Sequence, residues 1–83
     1  MSQHTVLVID DSATIRKLVD RHLSAVGYRV VLAANAEEGV QLAAEIMPDL
    51  VLLDHQLPGT TGYNVATQLS ETEALRQIPV VIS

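Results

Sequence analysis

The sequence contains no cysteine, tryptophan or phenylalanine, and two tyrosines are its only aromatic residues. Without cysteine the chain can form neither a disulfide framework nor a cysteine-ligated zinc site. Its apolar runs are short, with four residues each in 6–9 and 50–53 and five in 30–34. Because a membrane-spanning helix needs about 20 consecutive apolar residues, the sequence predicts no membrane span.

Basic residues are also scarce, since five Lys and Arg stand against ten Asp and Glu, for a net charge of −5. Nucleic-acid binding draws most of its affinity from basic patches on phosphate, so this composition disfavours a direct nucleic-acid partner. Residues 1–5 lack the basic segment and apolar stretch that open a signal peptide. We therefore expect a cytoplasmic protein.

The 83 residues are 48% hydrophobic, which is too apolar for a disordered chain and indicates one small domain or a piece of one. Two apolar periodicities alternate along the chain. Short β-branched runs predict strands, and apolar residues three and four apart predict amphipathic helices. The predicted strands are 5–9, 29–33, 50–53 and 79–82, and the predicted helices cover 15–26, about 36–47 and 63–70, with a loop at 55–62.

The order β-α-β-α-β-α-β, with strands apolar on both faces, predicts a parallel sheet covered by helices on two sides. In such sheets ligands bind at the carboxyl ends of the strands, where the strand order reverses. Asp10 and Asp11 follow the first predicted strand, Asp54 follows the third and Ser83 follows the fourth. Three carboxylates and a hydroxyl therefore converge on one edge if these strands are neighbours.

Carboxylates within a few ångströms of one another repel, so either one of them holds a proton or a divalent cation sits among them. An all-oxygen acidic cluster suits Mg²⁺ or Mn²⁺ better than zinc. A bound Mg²⁺ would neutralise an incoming phosphoryl group, Asp54 would be a suitable nucleophile, and the Ser83 hydroxyl would hydrogen-bond a phosphoryl oxygen. The competing interpretation of Asp10 and Asp11 is N-capping of the first helix.

Four segments, in order and at compatible spacing, resemble response-regulator receiver domains. They are the acidic pair Val8-Ile9-Asp10-Asp11-Ser12 with Arg16 after it, the strand and phosphoacceptor Pro48-Asp49-Leu50-Val51-Leu52-Leu53-Asp54, the loop 57–62, and the strand and switch residue Ile78-Pro79-Val80-Val81-Ile82-Ser83. The resemblance implies a flavodoxin-like three-layer α/β sandwich with parallel strand order 2-1-3-4. It also implies that residues 1–83 are the N-terminal part of a single receiver domain.

The resemblance assigns roles to five residues in two-component signalling. Asp54 would accept a phosphoryl group from a histidine kinase or a phosphotransfer protein, so the chain would be a signalling module and not an enzyme. Asp11 and Asp54 would bind Mg²⁺ directly, together with the main-chain carbonyl of Gln56. Asp10 would bind the ion through water, and Ser83 would move to the phosphate on activation.

The sequence also departs from the family pattern. The family's fifth strand, with a lysine that pairs with the phosphoryl group, has no counterpart in these 83 residues, and Thr61 stands where the family often has Asp. Without a fifth strand the fourth becomes an exposed parallel edge, and such edges template association. We therefore expect a dimer, a swapped assembly or poor solubility, and weak or no phosphorylation. Because the chain begins at Met1, we expect the receiver to be N-terminal in its parent protein.

Two alternative functions stay open. One is a pseudo-receiver, an unphosphorylated protein-interaction module of the same fold. The other is a metal-dependent phosphohydrolase with an aspartate nucleophile, but such enzymes commonly carry a second acid where this chain has Gln56. Among the remaining side chains, Arg16 is predicted to cover the helix surface, and Met47 and Tyr63 to pack inward. His55 either lines the mouth of the site or, by strand alternation, points to the opposite face.

Overall fold

The structure, a computed structural model, describes residues 3–83, so the expectation drawn from Met1 lies outside it. The described elements are β1 (Thr5–Ile9), α1 (Ala13–Ala25), β2 (Arg29–Ala33), α2 (Ala36–Ile46), β3 (Leu50–Leu53), β4 (Gln56–Leu57), β5 (Thr60–Thr61), α3 (Gly62–Glu71), a 3₁₀ turn (Glu73–Leu75) and β6 (Val80–Ile82). None of the helices in this range has the length and apolar character needed to cross a membrane.

Four strands form one parallel sheet in the order β2-β1-β3-β6. Since β6 is the predicted fourth strand, the predicted order 2-1-3-4 is confirmed. Helix α1 packs on one face of this sheet, and α2 and α3 pack on the other. The fold is therefore the expected flavodoxin-like three-layer sandwich.

The segment 55–62, predicted as a loop, contains a short antiparallel hairpin of β4 and β5. Its turn is Pro58-Gly59, and Gly59 has a φ of +76°. Proline followed by a residue with positive φ is typical of a type II turn. The hairpin leads directly into α3, so it connects the end of β3 to the helix without a long flexible loop.

The two faces of the sheet are unequally buried. On the face covered by α2 and α3, Leu7, Ile9 and Leu53 are at most 1% exposed. Full burial of such a side chain contributes about 1.5–3 kcal/mol to stability. On the opposite face only α1 covers the sheet. Val6 and Val8 of β1 are buried there, but helix α1 itself has no buried residue and Val81 of β6 is 51% exposed. The core therefore lies on the α2–α3 side.

Each helix begins at a side-chain cap that its sequence supplies. The caps are Ser12 for α1, Asn35 for α2 and Thr61 for α3, and each side-chain oxygen accepts the main-chain N–H three residues further on. Thr61 thus caps α3 at the position where the family often has Asp. At the start of α2 the Glu38 carboxylate also accepts the N–H of Ala34, at 2.7 Å.

The ends of α1 and α2 depend on two residues with positive φ. Gly27 (φ +98°) follows α1 in a Schellman arrangement, in which its N–H donates to Ser24 O and the next N–H donates to Leu23 O. Met47 (φ +47°) ends α2 in the left-handed region and is 47% exposed. The prediction that Met47 packs inward is wrong, because Pro48 cannot continue the helix and the chain turns out of the helical period.

We expect Met47→Gly to stabilise the protein by about 0.5–1 kcal/mol, because glycine adopts positive φ without the steric cost that an L-residue bears. The matched control is Gly27→Ala, whose new Cβ would meet no atom within 4 Å and so tests the backbone cost alone. That substitution should destabilise the fold by about 1–2 kcal/mol. Thermal and urea unfolding followed by circular dichroism measure the stability of both variants. If both substitutions changed the stability in the same direction, the positive φ of Met47 and Gly27 would not explain their effects.

Candidate functional site

Asp10 is held in place just beyond the end of β1. Its N–H continues the strand ladder by donating to Ala33 O at 3.1 Å, and its Oδ1 accepts the Ser12 N–H at 2.9 Å. The guanidinium of Arg16 donates to the Asp10 carbonyl at 2.6 Å. Arg16, predicted to cover the helix surface, is half-buried and also clamps the turn that carries the acidic pair.

Ser12 caps helix α1 through its hydroxyl, which accepts the Ile15 N–H at 3.3 Å. The competing interpretation of Asp10 and Asp11 as the N-cap is therefore wrong. Asp11 is exposed at the sheet edge, and its carboxylate is available for a ligand. Both carboxylates also lie near the positive end of the α1 dipole, which favours negative charge there.

Asp54 lies at the same edge, one residue past β3. Its N–H donates to Ile9 O at 3.0 Å, and its carboxylate is 21% exposed. Its Oδ1 lies 3.4 Å from the N–H of Gln56. A Cβ on Gly62 would lie 2.5 Å from the Asp54 carbonyl, so α3 approaches this main chain more closely than any side chain would permit. Gly62 was predicted only as part of a loop.

The structure brings the three predicted carboxylates together. One oxygen from each of Asp10, Asp11 and Asp54 lies within 4.8 Å of the others. Such oxygens repel one another in the absence of a counter-charge. Carboxylate oxygens with room for water are the donors that Mg²⁺ takes, so the donor set fits this ion. The main-chain carbonyl of Gln56 as a further ligand stays a prediction.

Ser83 lies one residue past β6 and lines the same cavity as Asp10 and Asp54, with a volume of about 200 Å³. The Ser83 N–H donates to Leu53 O at 3.0 Å, and the Ser83 carbonyl accepts the His55 N–H at 3.0 Å. The hydroxyl is therefore carried by a main chain that is bonded to β3. Its proposed movement to a phosphate stays a prediction.

Two side chains near the site differ from what strand alternation and helical spacing indicate. His55 Nδ1 lies 2.7 Å from Ser83 O and 3.3 Å from Asp54 Oδ1, so His55 belongs to the mouth of the site. Alternation fails here because β3 has already ended at Leu53. Tyr63, predicted to pack inward, is 77% exposed at the start of α3.

Comparison with known proteins places the chain in a family. The family model of the response regulator receiver domain matches residues 6–83. The phosphate regulon transcriptional regulatory protein PhoB of Pseudomonas aeruginosa is 36% identical over 78 residues, which are 94% of this chain and 34% of that protein. The chain spans about a third of the length of the curated relatives it matches.

Solved structures agree with this assignment. The N-terminal domain of a response regulator receiver protein from Methanoculleus marisnigri superposes with a TM-score of 0.93 and 34% identity, covering 98% of this chain and 66% of that one. A second structure is the receiver domain of sensor histidine kinase PA1611 from Pseudomonas aeruginosa, with a magnesium ion coordinated in its active site cleft. It superposes with a TM-score of 0.91 and 26% identity, covering 98% of this chain and 66% of that one. The chain belongs to the response regulator receiver domain family.

Proposed function

We propose that Asp54 accepts a phosphoryl group from a histidine kinase or phosphotransfer protein, in a Mg²⁺-dependent step of two-component signalling. The observation that carries this proposal is the approach of three carboxylates to within 4.8 Å at the edge where a receiver domain has its acidic site. The setting we propose is the cytoplasm, as expected for a receiver domain of two-component signalling. Residues 1–83 form the N-terminal part of the receiver domain.

The chemistry asked of Asp54 is a phosphoryl transfer. A carboxylate oxygen forms a bond to phosphorus, the P–N bond of the donor phosphohistidine breaks, and the imidazole nitrogen keeps the electron pair and takes up a proton. The main-chain bond from Asp54 to Ile9 O and the close contact with Gly62 hold the nucleophile at a fixed depth. The Ser83 hydroxyl, in the same cavity, donates to a phosphoryl oxygen.

Asp11, Asp54 and the Gln56 carbonyl would hold Mg²⁺ directly, and Asp10 would hold it through water. The bound ion supplies positive charge that offsets the carboxylates and the developing phosphoryl charge. Arg16 acts on this set indirectly, because its bond to the Asp10 carbonyl fixes the turn between β1 and α1.

The pseudo-receiver is the alternative function that the departures from the family pattern favour. In that case the acidic cluster would be an inherited feature without phosphoryl transfer. Mg²⁺ binding and phosphorylation separate the two functions, since a pseudo-receiver takes up no phosphoryl group from any donor.

We expect Mg²⁺ to shift the amide resonances of residues 10, 11 and 54 in a saturable titration. Asp11→Asn should weaken the affinity by at least about tenfold, because a charged ligand is replaced by a neutral one. The matched control is Asp20→Asn, which makes the same change of charge on α1 where the side chain only accepts from the Ser24 hydroxyl. Equal affinities in the two variants would contradict the proposed metal site.

We expect a small phosphodonor such as acetyl phosphate, with Mg²⁺, to add one phosphoryl group to a minor fraction of the chain. The yield is low because no lysine of a fifth strand pairs with the phosphoryl group. Intact mass spectrometry detects the adduct, and borohydride reduction maps it to residue 54. Asp54→Asn and chelation of Mg²⁺ should each abolish it. No adduct under any of these conditions would rule out phosphoryl acceptance by these 83 residues, but not by a longer chain that supplies the fifth-strand lysine.

We also propose that two copies associate through β6. Among residues 3–83, β6 pairs only with β3, so its other edge is unpaired. The exposed apolar side chains of Ile15, on α1, and Val81, on β6, line one cavity on the same face of the sheet. A two-fold axis would pair the two β6 edges antiparallel and bury these side chains against their copies.

Sedimentation velocity at tens of micromolar should show a dimer or a larger assembly. Val81→Lys should shift the protein toward the monomer, because it places a charge on the associating edge. Tyr63→Lys, at a more exposed position at the start of α3, is the matched control and should leave the sedimentation unchanged. A monodisperse wild-type monomer would refute the association.

A further inference from the structure

His55 makes a contact that the proposed phosphoryl transfer does not use. Its Nδ1 lies 2.7 Å from the carbonyl oxygen of Ser83, and its own N–H donates to the same oxygen at 3.0 Å. One residue therefore binds the Ser83 carbonyl twice, once from the main chain and once from the ring. The same Nδ1 is 3.3 Å from Asp54 Oδ1, so His55 lies between the proposed phosphoacceptor and the proposed switch residue.

The contact determines where the ring carries a proton. The main-chain oxygen of Ser83 has no proton to donate, either as a peptide carbonyl or as part of the carboxylate that ends an 83-residue chain, so an Nδ1 at 2.7 Å from it is the donor. The shorter of the two Nδ1 distances is the one to Ser83, and a ring nitrogen has a single hydrogen. The Nδ1–H bond is therefore directed chiefly at the Ser83 carbonyl, with Asp54 Oδ1 as a secondary neighbour.

Both main-chain groups of Ser83 are bonded to the segment around Asp54. Ser83 lies one residue beyond β6, on the face of the sheet that α1 covers. The Leu53 carbonyl holds the Ser83 N–H, and His55 holds the Ser83 carbonyl, so both sides of the residue are fixed.

We propose that His55 is a positioning residue, whose ring fixes the Ser83 main chain and thereby the direction of the Ser83 hydroxyl toward a phosphoryl group on Asp54. The positioning by itself is a property of the folded chain, and its use in signalling rests on the proposed function. The ring is 72% exposed, so the bond competes with water and its effect is local to Ser83.

The first test is spectroscopic and needs neither metal nor phosphate. Long-range ¹H–¹⁵N correlation at a pH where the ring is neutral should show His55 as the Nδ1–H tautomer. His22, which is exposed on α1, serves as the internal reference and should show the Nε2–H form typical of free imidazole. An Nε2–H tautomer at His55 would overturn the proposal.

The second test uses substitutions of graded geometry. His55→Ala should lower the heteronuclear NOE of Ser83 and shift its amide resonance. His55→Asn should restore both, because its amide N–H occupies nearly the place of Nδ1–H, whereas His55→Gln places the donor too far out. Thermal unfolding of each variant checks that the fold is intact. If the His55→Ala variant kept the wild-type NOE and amide resonance of Ser83, the positioning role of His55 would be refuted.

The third test connects the positioning of Ser83 by His55 to the proposed function. With Mg²⁺ and beryllofluoride, a phosphoryl mimic, His55→Ala should bind the mimic roughly two- to tenfold more weakly, the range for loss of one hydrogen bond. Ser83→Ala should show a similar loss, and the double variant should show no further loss because both act through one hydroxyl. Additive losses would contradict the positioning role. If the wild type does not bind the mimic, the proposed function fails, while the tautomer and NOE measurements still decide the positioning.

Discussion

The register of the parallel sheet brings the site together. Ile9 is paired with Leu53, and Leu53 with Ile82, across three neighbouring strands. The three strands therefore end at the same level, and the next residue of each leaves the sheet at one edge. These next residues are Asp10, Asp54 and Ser83. Because side chains alternate between faces, a slip of one residue in either pairing would turn the core side chains outward and separate the polar groups.

The cost of this arrangement is electrostatic, since the same register that fills the core also accumulates negative charge at one edge. The fold tolerates it because the main chain under the carboxylates is bonded independently of them. Asp10 donates to Ala33 O, Asp54 donates to Ile9 O, and Arg16 supplies a positive charge at the Asp10 carbonyl. Repulsion of this kind between neighbouring charges is typical of functional sites, where the surrounding structure holds together groups that would otherwise separate.

Sequence reasoning succeeded where one local rule determined the structure. The bounds of β1, β2 and β3 were predicted to the residue, because short apolar runs between polar residues define buried strands. The members of the acidic cluster followed from their place at the strand ends. It was incomplete where individual side-chain contacts decide, as for Arg16 with the Asp10 carbonyl and for His55 with Ser83. It was wrong about Tyr63, which is exposed. Met47 and the β4–β5 hairpin were missed because backbone geometry at Pro48 and Pro58 overrides the helical and loop patterns.

The unequal burial of the two sheet faces divides the site into two halves of different rigidity. Asp10 and Asp54 follow Ile9 and Leu53, which are at most 1% exposed, so the acidic half is fixed by the core. Ser83 follows β6, which lies at the sheet edge and carries a half-exposed Val81. Local openings with few buried contacts cost the least free energy. The hydroxyl half therefore has less buried support than the acidic half. Its position depends on the main-chain bonds of Ser83 to Leu53 and His55, whereas the carboxylates are held by the core beneath them.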